Sequence, residues 1–251
     1  MTAPAAAADN HPPASSDLAI STVMASTAGF VDTCGFVALF GLFTAHVTGN
    51  FVLIGATLAT PRPGILAKLL AFPTFVVVVA ATQLVVHRAR RRGRDPALPV
   101  LFGQIGFLSL FLGAGVWASP VQDADAAFTI LIGLFGVAAM AIQNAASRTV
   151  FSGHPPTTVM TGNVTQIVTD AVEVALGVDA GPAKARLRKM LPPVVGFAIG
   201  AIAGGLGVVR FGFWCLIAPL LATLYVAWQA RAVLSRAGGY GEADPAGSRR
   251  P

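Results

Sequence analysis

The sequence predicts an all-α membrane protein of about six transmembrane helices, built as a 3+3 inverted repeat with a short broken or re-entrant helix after the first span of each half. Three observations predict it. Hydrophobic residues make up 55% of the 251-residue chain and charged residues only 11%, against roughly 25% charged in a soluble domain. So little polar surface cannot cover a soluble fold. The apolar residues collect in stretches close to the ~20 needed to cross a hydrocarbon core. The string Val47-Thr-Gly-Asn50 returns as Met160-Thr-Gly-Asn163, each copy following a long apolar stretch and preceding a short one.

Residues 1–17 are rich in Ala, Pro and Ser, hold no Lys or Arg, and lack the apolar core of a signal peptide, so they read as a disordered tail. The first half, 18–118, has spans at 18–43, 66–86 and 98–118. Its short segment, 48–59, makes only about 18 Å of helix, too little for a core of ~30 Å. The second half, 126–236, has spans at 126–151, 191–209 and 211–230, with a short segment at 161–177. That segment carries Asp170 and Glu173, so it reads as an interfacial helix with a salt-bridged polar face. Residues 237–251 are Gly, Pro, Asp and Arg and read as a second disordered tail.

Positive charge decides how to count the spans. If both short segments crossed, the run Arg88, Arg90, Arg91, Arg92 and Arg94 would face the opposite side from Lys184, Arg186, Arg188, Lys189 and the basic C-terminus. If neither crosses, all of these lie inside with Arg148, and only Arg62, Lys68 and Arg210 of the 17 basic residues lie outside. Six spans with both termini cytoplasmic, in the inner (plasma) membrane, satisfy the rule. The net charge of +6 then belongs to the cytoplasmic loops, and no nucleic-acid partner is expected because no basic face forms on an amphipathic helix.

The repeat extends beyond TGN. Pro73 in the second span lines up with Pro193 in the fifth, and one apolar span ends each half. Three spans is an odd number, so the second copy enters the membrane from the opposite side, the inverted arrangement of many transporters.

Irregular backbone at membrane depth is tolerated only where protein or water surrounds it. The stretches 44–50 and 157–163 are such breaks, and Thr48, Gly49, Asn50, Thr161, Gly162 and Asn163 are expected at the N-termini of the short helices, their side chains capping orphan N–H groups. Two such N-termini meeting would suit an anionic or carbonyl-bearing solute. Asp32 lies inside the first span, and a charge at mid-bilayer costs at least about 2.5 kcal/mol unless it faces a cavity or partner. It is the candidate for a proton or cation relay. Gln143 and Asn144 occupy the corresponding place in the fourth span and suit either a site or interhelical hydrogen bonds. His46, beside Thr48, is titratable near neutral pH, and His154 falls in a Ser-Gly-His-Pro-Pro turn. Gly196, Gly200 and Gly204 form a small-residue face for close helix packing. Cys34 and Cys215 each fall in an apolar stretch, which suggests neither a disulfide framework nor a thiolate metal site.

The phrases GFVDTCGFVALFGLFTAHVTGNFVLIG, AMAIQNAASR and TTVMTGNVTQ resemble the YoaK family of bacterial membrane proteins over about residues 17–236. The resemblance implies that Asp32, Thr48, Gly49, Asn50, Gln143, Asn144, Thr161, Gly162 and Asn163 are the recurrent positions, with His46 standing where a small or amide residue is expected. It implies the membrane class and imports no activity.

The sequence therefore points first to a small-solute transporter or channel with a central site formed by the two TGN motifs. The alternative is a non-catalytic membrane scaffold or sensor. A membrane-embedded enzyme is the least supported reading, because no nucleophile–base pair or metal set stands at a recognisable spacing. No cofactor or metal is expected. The expected partners are the lipid bilayer, a small solute and, in a homo-oligomer, further copies of the chain.

Overall fold

The computed structural model describes residues 15–153 and 155–239. Residues 1–14 and 240–251 of the two expected tails, and His154, lie outside them. Among the described residues the regular structure is helical: α1 (Ser15–Ala38), α2 (Gly49–Ala59), α3 (Ile65–Arg91), α4 (Ala97–Trp117), α5 (Ala127–Thr149), α6 (Met160–Leu176), α7 (Ala180–Phe211) and α8 (Ile217–Gly239), with a 3-10 turn at Gly212–Leu216. Five helical segments are long and apolar enough to cross a membrane: Leu18–Ala38, Ile65–Arg91, Ala97–Trp117, Ala127–Thr149 and Ala180–Ala232. These are the helices of a multi-pass membrane protein. The count is five where about six were expected, and the last segment, 53 residues long, holds both α7 and α8.

Three boundaries differ from the hydropathy reading, each for a local reason. α1 starts at Ser15, inside the expected tail, and stops at Ala38 instead of 43. Phe40 and Gly41 take positive φ angles of 54° and 82°, and the Gly41 N–H donates back to Phe36 O at 2.9 Å, a left-handed helix end. Lys68 then reaches over from α3, its Nζ donating to Phe40 O at 2.8 Å. α7 begins eleven residues before the expected span, because Pro192 and Pro193 lie inside the helix without ending it. Hydropathy sees only the apolar part, whereas the basic turn 184–189 belongs to the same helix.

α1 and α5 are the most buried of the five segments. The chain leaving α1 enters the space between them. A Cβ on Gly35 of α1 would lie 2.7 Å from the Thr44 methyl, and one on Gly136 of α5 would lie 3.0 Å from it, while Leu42 presses on Gly133. Absent side chains on these three residues make the room that the break occupies. Around this core, α1 packs along α7. A Cβ on Gly196 would meet Thr22 O at 2.9 Å, while Gly200 faces Ser26 O and Gly204 faces Phe30 O. The register rises on both helices together, so the pair is parallel, and the expected small-residue face is the contact. α4 and α5 run antiparallel: Gln104 bonds Gln143 at 2.8 Å, and Phe111 lies against Gly136 one turn or more away. At the basic end, Arg90 of α3 donates to Thr149 O of α5 at 2.7 Å, which sets the C-termini of α3 and α5 side by side.

Candidate functional site: a cleft between two broken segments

Asp32 sits two turns from the end of α1, and only 4% of its surface is exposed. Its Oδ1 accepts the backbone N–H groups of Thr44 at 2.8 Å, Ala45 at 2.6 Å and, more weakly, His46 at 3.4 Å, together with the Thr44 hydroxyl at 3.3 Å. Its Oδ2 lies 2.7 Å from His46 Nδ1. Successive N–H groups converging on one anion form a nest, and the arrangement answers both the cost of a buried charge and the cost of orphaned backbone donors.

Asn50 closes the same break from the other side. Its Oδ1 accepts from Phe43 N at 3.0 Å and its Nδ2 donates to Phe43 O at 2.9 Å, so both polar groups of one residue are satisfied by one amide. Gly49 is required by the same contact, since a Cβ there would meet the Phe43 ring at 2.9 Å.

The second break repeats the plan with different chemistry. Asn163 Nδ2 donates to Pro156 O at 2.8 Å, again to the residue seven earlier. Proline has no N–H, so the second bond of the Asn50 ring has no equivalent. Gln143 takes the place of Asp32. Its Nε2 donates to Thr157 Oγ1 at 3.1 Å and to Met24 O at 2.7 Å, and its Oε1 accepts from Gln104. A Cβ on Gly162 would touch only Val159, at 4.0 Å, so this glycine has no packing requirement comparable to that of Gly49.

The capping role expected of the TGN residues is corrected by these bonds. Neither α2 nor α6 has a side-chain N-cap; both asparagines reach back to the break and leave the helix starts alone. The two starts then differ. At α2 the N–H groups of Gly49, Asn50 and Phe51 are taken by the carbonyls of His46, Val47 and Thr48. At α6 the N–H groups from Met160 to Gly162 have no partner among the described residues, and the buried Thr158 Oγ1 is likewise unpartnered.

Both breaks line one cleft of about 340 Å³. Ala45, His46, Val47 and Thr48 come from the first, Thr158 and Val159 from the second with Met160 and Thr161 from the start of α6, Phe72 and Phe75 from α3, and Asn144 from α5. Of the residues singled out in the sequence, Thr48, Asn144, Thr161 and His46 are on this wall. Asp32, Asn50, Gln143 and Asn163 are buried behind it, holding the breaks in place, and Gly49 belongs to the same supporting layer, whereas Gly162 is exposed and packs against no more than Val159. Sequence reasoning missed Thr158, Phe72 and Phe75. The Thr157-Thr158 pair just before the second motif, and the phenylalanine preceding Pro73, were the available signals.

Outside the cleft, α6 is clamped to α7. Asp170 is fully buried, and its Oδ1 accepts from Arg186 Nε at 2.8 Å and Gln166 Nε2 at 2.9 Å, while Arg186 Nη2 also bonds Glu173 at 2.8 Å. Burial pushes the Asp170 carboxyl up, but the bonds from Arg186 and Gln166 and the guanidinium charge outweigh it and hold its pKa below the ordinary carboxylate value. This is the salt-bridge role expected of Asp170 and Glu173.

Long apolar helices packed around a cleft of mixed apolar and polar lining define the class: a multi-pass membrane protein whose helices are interrupted by irregular backbone. Residues 20–228 match the family described as Protein of unknown function (DUF1275), and the chain belongs to that family. No curated protein and no solved structure matches the chain.

Proposed function

We propose that this protein is a small-solute transporter or channel, without catalytic activity, whose central site is the cleft between the two TGN-containing breaks. The observation that carries the reading is that segments 44–48 and 158–161, far apart in sequence, line the same cleft. Discontinuous helices meeting at a central cavity are how many transporters build a binding site. The residues assigned to it are Thr48, Asn144 and Thr161 on the wall, with Asp32, Gly49, Asn50, Gln143 and Asn163 maintaining its shape.

The proposal includes six spans in a 3+3 inverted order, with α7 and α8 each crossing, both termini cytoplasmic and the chain in the inner membrane. The helix pairing supports it. α1 lies on α7 as α5 lies on α3, α1 on α8 as α5 on α4, and α2 on α3 as α6 on α7, so exchanging the halves carries each of these three pairs onto its counterpart. The likeness to the YoaK family at the Asp, Gln-Asn and TGN positions agrees with this reading.

In proteoliposomes, a broad panel of radiolabelled small solutes is expected to reveal flux above protein-free vesicles, reduced at least several-fold by Asn50→Ala. A complete panel with no flux above background overturns the proposal. The second reading, a scaffold or sensor, is favoured by one observation: Asp32, Asn50 and Asn163 are all engaged in holding backbone. It requires that Asn50→Ala and Asn163→Ala lower thermal stability in detergent and change no ligand response. A ligand-dependent rise in stability that disappears in those variants rejects it.

A further inference from the structure

We infer that the cleft takes a small organic monocarboxylate with an apolar body, and that the bound complex carries one added proton shared between the carboxylate and His46. This rests on the reading of the cleft as a solute site. The polar end of the cleft is rich in unused donors. Thr158 is 3% exposed and its hydroxyl has no partner, an arrangement that is unfavourable when nothing fills it. Beside it stands the open first turn of α6, whose N–H groups and partial positive charge favour an anion. Phe72 and Phe75 form the opposite, apolar wall.

Among the described residues, His46 is the one titratable residue lining this cleft. The charged group that faces it is Asp32 of α1. The remaining elements around it present Phe43 of its own loop and Phe197 of α7, and across the cleft the uncharged residues of α3, α5 and the second break. Asp32 Oδ1 already accepts several bonds, so the carboxylate acts as acceptor and the proton between Oδ2 and the ring belongs on Nδ1. The neutral ring then turns a bare lone pair on Nε2 to the cleft. A carboxylate approaching that lone pair is repelled unless a proton lies between them. Uptake of one proton converts repulsion into a charge-assisted hydrogen bond, and the site gains no net charge, which matters at membrane depth.

The test is calorimetric titration of the full-length protein in detergent with benzoate, in two buffers of different ionisation heat. The hydrogen bond to Asp32 raises the His46 pKa above the ordinary histidine value of about 6.5, so the titration is run in steps from about pH 6 to about pH 9.5; proton uptake per benzoate is expected to rise towards one as the free ring loses its proton, with affinity falling roughly tenfold per pH unit from there. Benzamide, neutral and of the same shape, is expected to bind more weakly with no proton uptake. His46→Gln is expected to weaken benzoate roughly tenfold or more and abolish the uptake. Thr158→Val is expected to weaken benzoate while keeping it, which separates proton loss from damage to the fold. Benzoate binding without proton uptake at any step, benzamide binding as tightly as benzoate, or no benzoate binding down to pH 6 each overturns the inference. Flux of a neutral solute alongside any of those results leaves the transport reading standing. Proton-linked benzoate binding with no flux of any solute sustains the site and removes the transport reading.

Discussion

Asp32 accepts from the backbone of three consecutive residues and from a histidine ring, so replacing it with Asn changes more than a charge. The amide has one acceptor oxygen, and its NH2 group would face donors. Hydrogen bonds to charged groups are worth about 1.5–3 kcal/mol; Asp32→Asn is expected to lower stability in detergent by about that amount, measured by thermal unfolding. The two asparagines are expected to rank differently. Asn50 satisfies both polar groups of Phe43 and Asn163 satisfies one carbonyl, so Asn50→Ala should destabilise more, by about 1–3 kcal/mol for the buried groups left unpaired. An equal loss at both sites contradicts the geometry. Asp170 supplies a pH dependence. Its pKa is lowered in the fold, so its contribution is present above the unfolded carboxylate value of about 3.9 and is lost as pH falls through the folded value. Acid unfolding curves of the wild type should show this loss, and Asp170→Asn should remove it.

At the scale of the helix, the α1–α7 contact rests on missing side chains. The Cβ of a residue replacing Gly200 would strike the Ser26 backbone, which no rotamer change can relieve, so Gly200→Ala must push the helices apart. It is expected to lower the unfolding temperature by several degrees, whereas Gly113→Ala, where a Cβ meets nothing within 4 Å, should be neutral or slightly stabilising because Ala favours helix. Hydropathy located the apolar part of each helix well, since the bilayer demands a run of about 20 apolar residues. It misplaced the ends of α1 and α7. Those ends depend on a left-handed turn at Phe40 and Gly41 and on helix continuing through basic and prolyl residues, and neither feature registers on an apolar scale.

At the scale of the whole molecule, the proposed inverted arrangement predicts a sidedness. In a cysteine-free background, Arg62→Cys should react with a membrane-impermeant maleimide in intact cells, and Arg92→Cys only after permeabilisation. Labelling of both from one side rejects the 3+3 order. The site was legible in part. The paired TGN motifs marked where the chain resumes as a short helix after each break, with Gly49 opening α2 and Gly162 in the first turn of α6, because a glycine flanked by small polar residues suits a helix end better than its interior. That Asn50 and Asn163 bond backwards instead of capping forwards, and that Thr158 faces the cleft unpartnered, were not legible. The sequence by itself determined a membrane-embedded helical chain with two equivalent interruptions, because lipid imposes length, apolarity and charge sidedness residue by residue. Only the tertiary structure decided that the interruptions share one cleft, which polar groups support its wall and which remain open to it, because a hydrogen bond forms by proximity in space, and residues as distant in sequence as Gln143 and Met24 meet only once the helices have packed.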